Sequence, residues 1–372
     1  MEVEQRSWSP ADGWQSGGRG PLGSDLVLVF GSRERLQDGL ALVDLREQYP
    51  EAVFLGCSTA GEIVGTRVLE NTLIATAIRF EHTRVRRCSA ALRDGGSSFG
   101  AGKALAERLA APDLTHVFVL SDGTNVNGSQ LVRGLTMSLR PEVSVTGGLS
   151  GDGNAFGRTV VLGDDGAITA IGLYGERLRV GFGSLGGWDP FGPERLITRS
   201  EDNVLYELDG KSALDLYRRY LGDHAAGLPG TALLFPLAVR APDSEVHVVR
   251  TVLGVDDAAK SLTFAGDVPA GWTARLMRAS FERLVDGAQG AARDALQIAG
   301  GAPDLAVLVS CVGRKMVLKG RVEEEIEAVR DVFGDATMMT GFYSYGEISP
   351  VVQSRRCELH NQTMTITTLS ER

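Results

Sequence analysis

The feature that most constrains this 372-residue chain is a glycine–acid segment that occurs three times. "GCSTAGEI" (56–63) and "GFYSYGEI" (341–348) share Gly56/Gly341, Gly61/Gly346, Glu62/Glu347 and Ile63/Ile348 at equal spacing. "TGGLSGDG" (146–153) is a looser third copy, with Gly151-Asp152 one residue early. Internal similarity of this kind marks repeated supersecondary units. The flanks repeat as well. Each copy follows a short apolar segment, "AVFLG", "VSVTG" or "ATMMTG", and before each lies a helical pattern. One apolar face holds Leu36, Leu40 and Val43, the next Leu131, Leu135 and Leu139, the last Val322, Ile326, Val329 and Phe333. Ahead of each helix runs another apolar stretch: "DLVLVFGSR" (25–33), "THVFVLSDG" (115–123) and "DLAVLVSCVGR" (304–314). The unit is therefore strand, loop, helix, strand, glycine–acid loop. Continuous apolar runs fit parallel strands buried on both faces. Alternating segments at 72–80, 158–175 and 363–369 add antiparallel strands, and Asp165-Gly166 suits a hairpin turn.

The expected fold is α/β: two related domains built from repeated β-α-β units with added antiparallel strands. In such a unit both loops that follow strands open on one sheet edge, where ligands of open α/β sheets bind. The glycine–acid loops should therefore converge on a pocket. Length alone favours more than one core. The start, "MEVEQRSWSPADGWQSGGRG", has no apolar stretch suited to a secretory signal and reads as a polar arm (1–24) pinned by Trp8 and Trp14. No run approaches the roughly 18 apolar residues of a membrane span. A net charge of −9 disfavours nucleic acid and anionic membranes as partners. These readings place the chain in the cytoplasm, where Cys57, Cys88, Cys311 and Cys357 are expected as thiols. Their spacings match no zinc pattern and no C-x-x-C-H haem attachment.

Together, "GCSTAGEI", "GGLSGDG", "GFYSYGEI" and "CELHNQTMTITTL" resemble the FIST family of bacterial sensory proteins. The resemblance gives a FIST N-like part over 25–220 and a FIST C-like part over 221–372. It implies a ligand-sensing module of signal transduction that binds small molecules such as amino acids. It also brings in the NosP type, which binds haem, senses nitric oxide and acts on a histidine kinase. A signalling protein of that kind is the expected partner, and a homo-oligomer stays open.

Each candidate residue carries two readings. Cys57 and Cys311 end strands: they are small buried residues or ligand contacts, and as nucleophiles they would need a depressed pKa and a base. Ser58 lies beside Cys57 in the same loop. Arg314 can pair a carboxylate in bidentate fashion. Glu62 and Glu347 brace their own turns or contact a ligand, and the same alternatives hold for Asp152 with Asn154. Asp122 and Asn125 in "SDGTNVNG" cap the next helix or face the pocket. Tyr343 and Tyr345, two apart, share a face in extended backbone and could stack on a flat ligand. Among five histidines, His360 is the candidate haem axial ligand, with Cys357 as the thiolate alternative. No phosphate-loop motif is complete, and "VGFGSLGGWDPFGP" (180–193) is glycine-rich without lysine. The alternative function is a thiol- or carboxylate-dependent enzyme using Cys57 or Cys311 with Glu62 or Glu347 in an inter-domain cleft.

Overall fold

A computed structural model describes residues 1–16, 23–92, 96–163 and 168–372; the turn at Asp165-Gly166 lies outside them. Three parallel strand pairs form the frame: Leu26–Gly31 with Val53–Ser58, Leu114–Ser121 with Ser144–Leu149, and Leu305–Cys311 with Met338–Ser344. All three first strands are buried almost throughout, as two-sided packing requires. Each is flanked on its other side by an antiparallel strand: Leu73–Arg79, Ile168–Tyr174 and Met364–Glu371. The mixed α/β expectation holds, with its parallel and antiparallel sheets.

The three units are linked by a cyclic exchange of strands. After the first glycine–acid turn, Glu62–Val64 pairs with Thr340–Phe342 of the third unit. After the third turn, Gly346–Ile348 pairs with Gly147–Leu149 of the second. After the second turn, the chain returns to the first: the Val160 carbonyl accepts from Ser58 N, and Leu162 N donates to the Gly56 carbonyl. Every unit thus closes a neighbour's sheet edge, which leaves fewer unpaired strand edges.

The helical phases follow the sequence in the second and third units. Leu131 and Leu135 are buried on Gly128–Ser138, and Ile326, Val329 and Phe333 on Val322–Phe333. The first unit differs. Gly39, at φ +75°, splits the helix into Arg33–Asp38 and Leu40–Gln48 and resets its phase. Leu42 and Leu45 are buried instead, while Leu40 and Val43 face solvent. In the N-terminal segment, Glu2–Ser9 and Gly13–Ser16 form a hairpin whose first strand pairs with Leu73–Arg79. Trp8 and Trp14 pack on the core of the first unit.

The glycine-rich stretch 180–193 seats a helix. Strand Leu178–Leu185 lies against Phe281–Ala299, whose buried face is Ala288, Ala291, Ala292 and Ala295. A Cβ at Gly183 would lie 2.0 Å from the Ala291 carbonyl oxygen, so glycine permits the contact. Between Trp188 and Ala279 the chain leaves the α/β body and builds a curled, largely antiparallel sheet around the helix Ala213–Leu221, with its own core. Its entry and exit strands pair side by side, Trp188 opposite Ala279. No helix among the described residues is long and apolar enough to cross a membrane.

Candidate functional site

The three glycine–acid turns meet. Ala60 N donates to the Tyr343 carbonyl and Tyr343 N to that of Gly61, both at 2.8 Å. Gly151 N and Gly153 N donate to the Ser58 and Thr59 carbonyls, and Tyr345 N to Leu149 O. These backbone bonds fix one hub from three distant segments.

Around the hub, Glu62 and Glu347 play the same part. Glu62 accepts from Thr59 Oγ1 at 2.5 Å, Thr72 Oγ1 at 2.6 Å and Thr72 N at 3.3 Å. Glu347 accepts from Ser344 Oγ at 2.7 Å, Thr363 Oγ1 at 2.9 Å and Thr363 N at 3.2 Å. Each carboxylate ties its turn to the strand that continues the same unit. Burial pushes the Glu62 carboxyl up to about 7 and that of Glu347 to about 8, against the pull of their hydroxyl donors.

Two hollows open beside the hub. The first, a groove of about 450 Å³, lies between the first and second turns. It gathers Ser32 and Arg33 from the first unit, Glu70 beyond the first turn, Asp152 and Asn154 from the second turn, and Lys315 from the third unit. Arg33 donates to Asp152 at 3.0 Å and to Glu34 at 2.8 Å. Lys315 Nζ donates to the Ala60 carbonyl at 2.7 Å and pairs with Glu70. Ser32 Oγ is buried there without a hydrogen-bond partner, an unsatisfied hydroxyl of the kind that calls for explanation.

The second hollow, about 500 Å³, lies between the α/β body and the curled sheet. Asn125, Leu149, Phe156 and Tyr345 line one side, Leu233 and Phe264 the other. Phe156 stacks on Tyr345 at 4.5 Å between centroids, and the Tyr345 hydroxyl donates to Gly153 O and accepts from Phe156 N.

Other candidates lie elsewhere. Arg314 is fully buried and holds Glu325 through Nε at 2.9 Å and Nη2 at 2.7 Å, with the Gly186 and Leu284 carbonyls as further acceptors. Its helical neighbour Lys315 is the cation that reaches a groove. Tyr343 donates to the same Glu325 at 2.6 Å, deep in the core. Tyr343 and Tyr345 therefore do not share a face: the chain crosses from one sheet to the next between them. Cys57 and Cys311 are buried, and burial raises both thiols, the reverse of an activated nucleophile. Ser58 Oγ donates to Gly151 O and accepts from Val160 N, which fastens the strand exchange. Asp122 accepts from the amides of Thr124 and Asn125 within its loop, and the helix cap is Asn127, through Gln130 N.

His360 sits opposite Glu347 in the sheet, with its Nε2 donating to the Ser349 carbonyl at 2.9 Å. Burial lowers it to about 4. Cys357 is buried with its thiol on the Val145 carbonyl. Neither borders a hollow, and no His, Cys or Met lines either one. Tyr345, the lining phenol, already has both partners. The residues present do not fit a haem, and no group of acids, histidines and cysteines among the described residues forms a metal cage.

Sequence reasoning missed Ser32, Arg33, Glu70, Lys315 and Phe156. The repeat held a signal for the first two: "GSR" occupies in the first unit the place that "SDG" holds in the second.

The FIST N domain family matches residues 25–211 and the FIST C domain family residues 213–350. No curated protein matches the chain. Among solved structures, cyanuric acid hydrolase from A. caulinodans is 13% identical over 78% of this chain and 99% of its own, with a TM-score of 0.20, which supports no argument. FIST domains are in general sensor domains of signal transduction that bind small ligands. With both domain families matched end to end over 25–350, this chain belongs to the FIST family.

Proposed function

We propose that this protein is a small-ligand sensor in signal transduction and that its groove takes a zwitterion of amino-acid type. The observation that carries this reading is the meeting of both charge signs, from all three units, in one hollow: Arg33 and Lys315 against Asp152 and Glu70, with the unpartnered Ser32 hydroxyl beside them. A ligand carboxylate exchanges for a protein carboxylate on Arg33 or Lys315, while the released acid receives the ligand's ammonium group. Such charge-assisted bonds are about twice as strong as neutral ones. The groove draws its residues from all three units, so a ligand that spans it favours one relative placement of the units over another, and that difference in contact is what shifts a population. The output partner is a signalling protein of the histidine-kinase class, on the family resemblance. Haem and nitric oxide draw no support from the side chains present.

Titration of the full chain with the twenty standard amino acids, by calorimetry and thermal unfolding, tests this. At least one should raise the melting temperature. Its methyl ester and its decarboxylated amine should each bind at least about tenfold more weakly, as should the original ligand to Arg33→Gln or Lys315→Met. Failure of all twenty to bind, or equal binding of the charge-deleted analogues, overturns the proposal.

A further inference from the structure

We infer that the larger hollow is a separate ligand site, built for an uncharged, flat molecule with an amide-like polar edge. The inference stands apart from the reading of the groove. The lining contains no Asp, Glu, Lys or Arg. A charged ligand would enter without an opposite charge to meet it, and the loss of hydration would go uncompensated. Most of the wall is apolar: Leu149, Leu233, Val252 and Phe264. Phe156 offers a ring face. It is 38% exposed, held at φ +50°, where a bulky residue is an outlier, and fixed by its stack on Tyr345. Aromatic faces of this kind stack on flat rings. The polar edge comes from Thr124, Asn125, Asn127 and Asn203; Thr124 Oγ1 and Asn125 Nδ2 donate to Asp122 and the Asn127 and Asn203 Nδ2 atoms to Asp267 and the Phe264 carbonyl, so the edge meets a ligand chiefly as an acceptor of its N–H groups. A few placed polar groups in a mainly apolar hollow are the ordinary make-up of a small-molecule site. The two sides belong to different bodies with separate cores, so an occupant would bridge them.

Two matched probes test the inference on the full chain: indole-3-carboxamide, which is neutral, and indole-3-carboxylate, the anion of nearly the same shape. Calorimetry should show the carboxamide binding and the carboxylate at least about tenfold weaker. Gly230→Trp should abolish binding: a Cβ there meets nothing within 4 Å, so the ring can fill the hollow without displacing backbone. Leu253→Trp, at a partly exposed lining position, is the second blocking variant should the first unfold. Phe156→Ala should weaken the carboxamide about threefold to tenfold. Equal affinity for both probes, no carboxamide binding at millimolar concentration, or binding untouched in a folded blocking variant would each overturn the inference.

Discussion

Glu62 and Glu347 show how one side chain can be kept buried twice over in the same role. Neither has a cationic partner within hydrogen-bond reach among the described contacts; each is held by hydroxyls and one amide. Such an arrangement satisfies the carboxylate's lone pairs without removing the cost of burying its charge. The sign of the resulting pH dependence follows from Glu347, raised by burial from 4.5 to about 8. Below about pH 4.5 the folded and unfolded states both hold the proton. Between that value and about 8 the unfolded chain has lost it and the folded chain keeps it, so the contribution to stability falls as pH rises through this window. In Glu347→Gln the titration is gone, but the amide keeps its oxygen on the Thr363 N–H only by turning its NH2 to the Ser344 hydroxyl, which then loses its acceptor, a change costing about 1–3 kcal/mol. The variant should therefore be less stable than the parent at pH 5, and the gap should narrow towards pH 8. Urea unfolding at four pH values measures it, and a gap that stays constant or widens would refute the assignment.

At the scale of elements, the close approach inside each parallel pair sets the frame. Gly56, Gly147 and Gly341 each stand opposite a residue of the neighbouring strand: Val29, Val119 and Leu308. A Cβ at these positions would lie 2.2, 1.8 and 1.9 Å from that residue's carbonyl oxygen. The oxygen cannot retreat without loosening the ladder. Gly147→Ala should therefore cost about 3 kcal/mol or more, whereas Gly320→Ala, whose Cβ meets nothing within 4 Å, should stay within about 0.5 kcal/mol. Denaturant midpoints decide, and similar values for the two would remove the packing argument. These glycines and the apolar runs beside them made the three units legible from sequence. Apolar spacing alone misphases the first helix, because Gly39 permits a break that such spacing cannot foresee. Sequence does not separate Lys315 from Arg314, because one step of 100° along a short helix takes a core position to a groove, and which is which depends on what packs behind. Strand exchange between units is hidden from sequence because its partners lie far apart, 278 positions for Ile63 opposite Gly341 (341 − 63).

At the scale of the whole molecule, one short segment joins the two hollows. Asp152, Asn154 and Ala155 face the groove, and Phe156 faces the larger hollow. The segment is held at one end by Asp152, which accepts from Arg33 Nη1 at 3.0 Å and Arg158 N at 3.1 Å. At the other end Tyr345 accepts from Phe156 N. Beyond it the chain pairs with the first unit through Val160 and Leu162. A segment anchored at both ends has two ways to respond when one anchor goes: it frays locally, or it shifts as a piece. The stack of Phe156 on Tyr345 and the left-handed φ at Phe156 favour the second, because that conformation persists only while its surroundings enforce it. Asp152→Ala should therefore speed amide exchange at Phe156 as well as at Arg158, and should weaken indole-3-carboxamide binding several-fold although no lining residue of that hollow has changed. Hydrogen exchange resolved to single amides, paired with calorimetry, reads both effects. Faster exchange confined to Arg158, with carboxamide affinity unchanged, would mean that the wall is two independent pieces and that the hollows do not communicate through it.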